Sequence, residues 1–302
     1  MRFGIMVGGY ASGITLEGII ETARDLERRG FDTVWIPHVF EYDAITCAAL
    51  VGAATERVEI GTAVVPTYPR HPTAMAQQAI TAGAACGGRF TLGIGLSHPP
   101  VIEQMMGLSY ARRASHMAEY MAVLGPLLRG EPAKFQGEEF RVEMALDVAG
   151  APPVPVLLAA LGERMLGIAG REAAGTILWM TGFGAIERHV VPKLRAAAAE
   201  AGRPEPRIVA GMNLVLTSNP DAANERVAKL LTQYRMMPSY RAMIEREGSE
   251  TPADFAIVGD EKTLDAGLAR LESIGVTDFD ANILAIEAGS RERTLDYLES
   301  RF

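Results

Sequence analysis

Short runs of β-branched and apolar residues recur along the chain at 2–7, 32–36, 58–65, 90–95, 154–160, 175–180, 207–216 and 277–284. Most are near-continuously apolar, the pattern of a parallel strand covered on both faces. Amphipathic helix patterns lie between them. In 15–29, Leu16, Ile19, Ile20, Ala23 and Leu26 form one face. The charged Glu27, Arg28 and Arg29 follow, and Gly30 supplies a C-terminal stop. The same ending recurs at Ala201-Gly202 and Ile274-Gly275, each just before a strand. Eight strands, each answered by a helix, predict an α/β fold of the (β/α)8 TIM-barrel type. The rival is a doubly wound dinucleotide-binding sheet. Its glycine fingerprint is missing: Gly93-Ile94-Gly95-Leu96-Ser97-His98 follows the fourth strand and lacks the third glycine.

Two stretches interrupt the alternation. After the fourth strand, residues 130–150 alternate around a turn and predict a hairpin excursion. After the seventh, residues 235–258, with Met236-Met237-Pro238 and Glu247-Gly248, predict an insertion bordering the barrel mouth. No Ser/Gly-rich or Pro-rich linker divides the chain, so residues 1–302 are expected to form one barrel domain.

Composition narrows the class. Of 302 residues, 48% are hydrophobic and 22% charged, which excludes a disordered chain. A formal charge of −8 argues against nucleic-acid binding, which rests on neutralising phosphates. No apolar run approaches the roughly 20 residues of a membrane span, so no membrane partner is expected. A strand beginning at residue 2 leaves no room for a signal peptide. Cys47 and Cys86, isolated in Ala-rich helical stretches, predict neither a disulfide nor a metal site but a reducing cytoplasm.

In a barrel, chemistry belongs at the C-terminal ends of the strands. Three of the five histidines fall there, namely His38, His71 and His98. His38 follows Val34-Trp35-Ile36 and is either a hydrogen-bond donor and proton carrier or a loop histidine tied to the backbone. His71, between Arg70 and Pro72, reads as a turn cap, with Arg70 free to pair with an acid. His98 stands beside Ser97, so that a hydroxyl and an imidazole could face one ligand. The histidines show no metal-ligand spacing. A Gly-x-Ser-x-Pro hydrolase reading of 95–99 fails because Pro99 stands where a nucleophile elbow needs glycine. At Leu161-Gly162-Glu163 a strand runs straight into a helix whose first amides are an anion seat, and Thr181-Gly182 offers a second.

The segments Gly30-Phe31-Asp32-Thr33-Val34-Trp35, Glu59-Ile60-Gly61-Thr62-Ala63-Val64-Val65, Tyr68-Pro69-Arg70-His71-Pro72, Arg89-Phe90-Thr91-Leu92-Gly93-Ile94-Gly95 and Val156-Leu157-Leu158-Ala159-Ala160-Leu161-Gly162 occur in one order. In that order and spacing, the chain resembles the bacterial-luciferase-like family, in its coenzyme F420-dependent oxidoreductase branch. The resemblance implies a usually dimeric barrel whose mouth holds F420, with FMN as the alternative for a monooxygenase. It implies a ring lying against a bulge at the end of the third strand, around Thr62, Ala63 and Val64, with a non-prolyl cis peptide at Ala63-Val64. It also implies a cofactor phosphate on Leu161, Gly162, Glu163, Thr181 and Gly182. Three departures stand out. The family's acidic-His pair after the second strand reads His38-Val39 here. His98 replaces the glutamate acid of the family's sugar-phosphate dehydrogenases, and Phe183 replaces their phosphate-binding lysine. With Trp179 and Met180 nearby, the expected substrate is a small, fairly apolar organic molecule, not a sugar phosphate. His38 and His98 are the candidate proton donors.

Overall fold

The computed structural model describes residues 1–9, 12–249 and 252–302. Its strands, in chain order, are β1 (Arg2–Met6), β2 (Thr33–Ile36), β3 (Glu59–Thr62), β4 (Val65–Pro66), β5 (Phe90–Gly95), β6 (Ala133–Gln136), β7 (Arg141–Met144), β8 (Val156–Leu158), β9 (Gly175–Trp179), β10 (Arg207–Leu216), β11 (Ala256–Gly259) and β12 (Asp278–Ile283). Hydrogen bonding runs β1-β2-β3-β5-β8-β9-β10-β12 and returns to β1, with every pairing parallel. This is the closed eight-stranded TIM barrel.

The helices are α1 (Leu16–Arg28), α2 (Ala44–Ala53), α3 (Pro72–Ala85), α4 (Arg113–Leu128), α5 (Glu163–Glu172), α6 (Phe183–Ala185), α7 (Val191–Glu200), α8 (Pro220–Leu231), α9 (Pro238–Glu247), α10 (Glu261–Ser273) and α11 (Ser290–Glu299). A π-helical turn at 186–190 joins α6 to α7. Local chemistry sets their ends. Thr15 caps α1 by accepting from the Gly18 amide at 3.1 Å, and Gly30 leaves it at φ +92°. Ile19, Ala23 and Leu26 of α1 are buried, as the periodicity predicts. No described helix is long and apolar enough to cross a membrane.

Both interruptions have defined structures. Residues 133–144 form the antiparallel hairpin β6–β7, pinned by the Glu119 carboxylate, which accepts from the amides of Glu138, Glu139 and Phe140. Within 235–258 lie α9 and all but the last residue of β11, although residues 250 and 251 fall outside the described part. β11 extends the sheet by pairing with Asn213–Leu216 of β10, a strand the hydrophobic pattern did not announce. The expected third strand, 58–65, is divided. β3 stops at Thr62 and β4 restarts at Val65, with a cis Ala63-Val64 peptide between them.

The barrel interior is layered. At its N-terminal end Glu59 is clamped by Arg2 (2.7 Å) and Arg207 (2.8 Å), while Arg207 also holds Asp278 at 2.6 Å. Burial works against the Glu59 charge, yet the two arginines and the Thr91 hydroxyl outweigh it and hold its pKa below the usual value. A cavity of about 450 Å³ opens at this end, lined by Arg2, Arg57, Arg89 and Arg207 among others. Those guanidiniums are already engaged. Arg89 donates to the carbonyls of Gly52, Thr55 and Val58, and Arg57 to that of Glu27. This end is a stability face, as expected for the lower rim of a barrel.

Above it Trp35, Leu157, Ile177 and Val209 fill the axis. Trp35 fits only because its neighbours lack side chains. A Cβ on Gly61 would lie 2.2 Å from its ring, and one on Gly4 2.5 Å from its Nε1.

Candidate active site

The mouth is built on the third layer, where the strands end. At the end of β3, the Thr62 hydroxyl donates to the Gly93 carbonyl at 2.9 Å and accepts from the Gly93 amide at 2.9 Å. Thr62 is therefore a clamp between β3 and β5, with its one donor committed there. Ala63 and Val64 follow, half-buried, and pack on the Trp35 cluster with Ala159.

His38 ends β2. Its Nδ1 accepts from the Ala44 amide at 3.2 Å, which leaves the ring proton on Nε2 in the neutral form. Burial and then the Arg70 charge push its pKa down, opposed by Asp43, whose Oδ2 lies 3.8 Å from Nδ1. Asp43 also caps α2 through the Thr46 amide (2.9 Å) and ion-pairs with Arg70. The acidic companion that the residue after His38 lacks is thus supplied by Asp43. Arg70 finds the acid expected for it, and His71 caps α3 as its position predicts.

Ser97 follows β5 in a left-handed turn (φ +61°), its carbonyl accepting from the Tyr110 hydroxyl at 2.7 Å. His98 comes next, its ring centroid 5.4 Å from that of Tyr240 on α9. Burial alone pushes the His98 pKa down. With β3 between their strands in the sheet order, His38 and His98 stand on opposite sides of the bulge.

The two anion seats differ. At the start of α5, Gly162 is the N-cap, no side chain caps it, and a Cβ there would meet nothing within 4 Å. Leu161 is held by His189, whose Nε2 donates to its carbonyl at 2.8 Å, and the exposed Glu163 pairs with Lys193. At the second seat, Thr181 is buried and its hydroxyl donates to the Trp179 carbonyl at 3.2 Å. There the Glu247 carboxylate, from α9, accepts from the amides of Gly184 (3.0 Å) and Ala185 (2.6 Å). A Cβ on Gly182 would come 2.4 Å from Glu247 Cδ. The second seat is filled from within the chain.

Sequence reasoning did not find Asp43, Glu247 or a buried chain at the hairpin. In that chain, His116 Nδ1 lies 2.6 Å from Glu139 and its Nε2 3.1 Å from the Thr67 hydroxyl. His116 is on a helix, so the strand-end filter passed over it. Asp280, fully buried on β12, was also missed, although the alternation Asp278-x-Asp280-x-Asn282 is a period-two signal for polar groups facing inward. No group of three or more potential metal ligands gathers among the described residues.

The chain is 28% identical to the F420-dependent glucose-6-phosphate dehydrogenase of Nakamurella multipartita, over 89% of this chain and 82% of that protein. It is 26% identical to the 5,10-methylenetetrahydromethanopterin reductase of Methanolobus tindarius, over 80% and 74%. Its fold superposes on the coenzyme F420-dependent tetrahydromethanopterin reductase of Methanopyrus kandleri with a TM-score of 0.83 at 22% identity, covering 99% of this chain and 97% of that one. The family profile described as luciferase-like monooxygenase matches residues 1–296, and the chain belongs to that family.

Proposed function

We propose that this protein is a coenzyme F420-dependent oxidoreductase acting on a small, fairly apolar organic substrate. What supports the reading is the pairing, on one rim, of a backbone bulge at Ala63-Val64 with an uncapped helix start at Gly162, two strands along the barrel wall. The relative named as an F420-dependent glucose-6-phosphate dehydrogenase favours the deazaflavin over FMN. The residues present fit such a group. The open amides at Gly162 suit an anionic tail, and the orphaned polar atoms of Trp35 and Asp280 lie beneath the mouth. The Gly182 seat fits less well while Glu247 fills it.

F420, when bound, would supply a two-electron hydride donor or acceptor. The protein's share is to orient the substrate, exclude water and provide a proton. His38 and His98 are the candidate groups for that proton; burial lowers the pKa of each, so the charged imidazole, once formed, gives its proton up more readily. Trp179, Phe183 and Tyr240 give the mouth apolar surfaces, with Phe183 following the Gly182 helix start.

The test is to mix the protein with reduced F420 and a panel of ketones, imines and activated alkenes, following reoxidation of the cofactor. Turnover is expected with at least one class. His38→Ala or His98→Ala is expected to slow it about 100-fold, within the range for lost general acid catalysis. Unchanged rates and pH profiles in both variants would refute the assignment of the acid.

A further inference from the structure

The inward face of β12 is a polar stripe that rises from the charged lower layer past the apolar Trp35 layer. Asp278 belongs to the lower charge cluster, and Asn282, at the top, donates to Asn213 at 2.7 Å. Between them Asp280 is 1% exposed, and neither carboxyl oxygen has a partner among the described residues. Trp35 Nε1 is orphaned in the same way. Gly4 and Gly211 stand beside Asp280 on the two adjacent strands. A Cβ on Gly4 would be 2.5 Å from Trp35 Nε1, and one on Gly211 would be 3.5 Å from Asp280 Oδ2. The indole N–H and the carboxyl are thus gathered on one side-chain-poor patch of wall. Trp179, at the end of β9 and opposite Gly211 in register, borders it on the other side, its ring 3.1 Å from that same Gly211 position.

Two orphaned buried groups so close together call for a partner that both can bond. The ionised groups nearest along the wall, Asp278, Arg207, Arg2 and Glu59, bond one another in the layer below. Trp35, Trp179, Gly4 and Gly211 bring no charge. In such surroundings a carboxyl keeps its proton, and burial indeed raises the pKa of Asp280 well above the usual value. A neutral carboxylic acid offers a donor and an acceptor side by side. The complementary group is an imide edge, an N–H flanked by carbonyls, which forms two parallel hydrogen bonds with the acid. The indole N–H supplies one more donor for a carbonyl.

We propose that Asp280 and Trp35 recognise the imide edge of the tricyclic cofactor, with Trp179 turning aside to admit it. The proposal rests on the reading that a tricycle binds in this mouth. F420 and FMN share this edge, so the pair would secure either one without choosing between them. Asp280 acts here as a neutral donor and acceptor, with no proton transferred.

The experiment measures F420 and FMN dissociation constants by tryptophan fluorescence for the wild type, Asp280→Asn, Asp280→Leu and Trp35→Phe. Thermal melts of the cofactor-free proteins run alongside. Asp280→Leu should bind the better of the two cofactors about tenfold more weakly, as expected for unpaired polar groups, and Trp35→Phe about fivefold. Asp280→Asn keeps a donor beside an acceptor and should bind within about threefold of wild type. Its infrared spectrum should lack the protonated-carboxyl band that the wild type shows at pH 8. Wild-type affinity in Asp280→Leu would overturn the proposal, as would equal losses in the Asn and Leu variants. Failure of the wild type to bind either cofactor would instead refute the cofactor reading, and the proposal with it. Should Asp280→Leu fail to fold, Trp35→Phe and Asp280→Asn decide alone.

Discussion

Asp278 and Asp280 are the same residue type, two positions apart on one strand and facing the same axis, yet they live in opposite environments. Asp278 meets Arg207 at 2.6 Å and Arg2 at 3.3 Å, inside a network that also holds Glu59. Asp280, one layer up, meets no polar partner among the described residues. The lower layer is a completed ion network, which ties β1, β3, β10 and β12 together. The upper one contains unsatisfied polar groups that cost stability and are expected where function requires them. The barrel thus puts its stability at one end and its incompleteness at the other.

The largest effect expected from disturbing this contrast is at the completed end. Asp278→Asn leaves Arg207 and Arg2 short of a counter-charge and should destabilise the fold by roughly 2–3 kcal/mol, the lower part of the range because the arginines are partly exposed. Chemical denaturation checks it. Thr62→Ala comes next. It removes both hydrogen bonds to Gly93 and should cost about 1–2 kcal/mol in the same assay.

Asp280→Asn should act in the opposite direction. The native state holds a proton that the unfolded chain releases as pH rises above about 4, so the wild type loses stability as pH rises from there. The variant should therefore melt roughly 2–4 °C above wild type at pH 8, with the gap closing toward pH 4. A melt that is lower at pH 8 would show that Asp280 is ionised and paired. Smallest of all, Glu247→Ala uncovers the Gly184 and Ala185 amides and should cost about 0.5–1 kcal/mol. Hydrogen exchange at α9 should report the loosening.

Much of the barrel was legible because its signals are local. The strand runs, the stop at Gly30 and the turn in 130–150 each lie within a few residues, and β6–β7 appeared where alternation placed it. The break between Thr62 and Val65 was legible only through family resemblance, since 58–65 reads as one apolar run. What escaped depends on residues far apart in the chain. Glu247 reaches Ala185 across 62 residues, and Arg70 reaches Asp43 across 27. Glu139 and Thr67 meet only through His116. The helix start at Gly162 reads the same in sequence as the one at Gly182. Only packing shows that α9 fills one and leaves the other open.

The central claim is that the open rim, not the closed lower end, receives a tricyclic redox cofactor. Equilibrium titration of the purified protein with F420 and, separately, with FMN tests it most directly. Saturable binding of F420, tighter than FMN and weakened when Gly162 is replaced by proline, is the predicted result. Tighter FMN binding would reverse the choice of cofactor, and binding of neither would contradict the account.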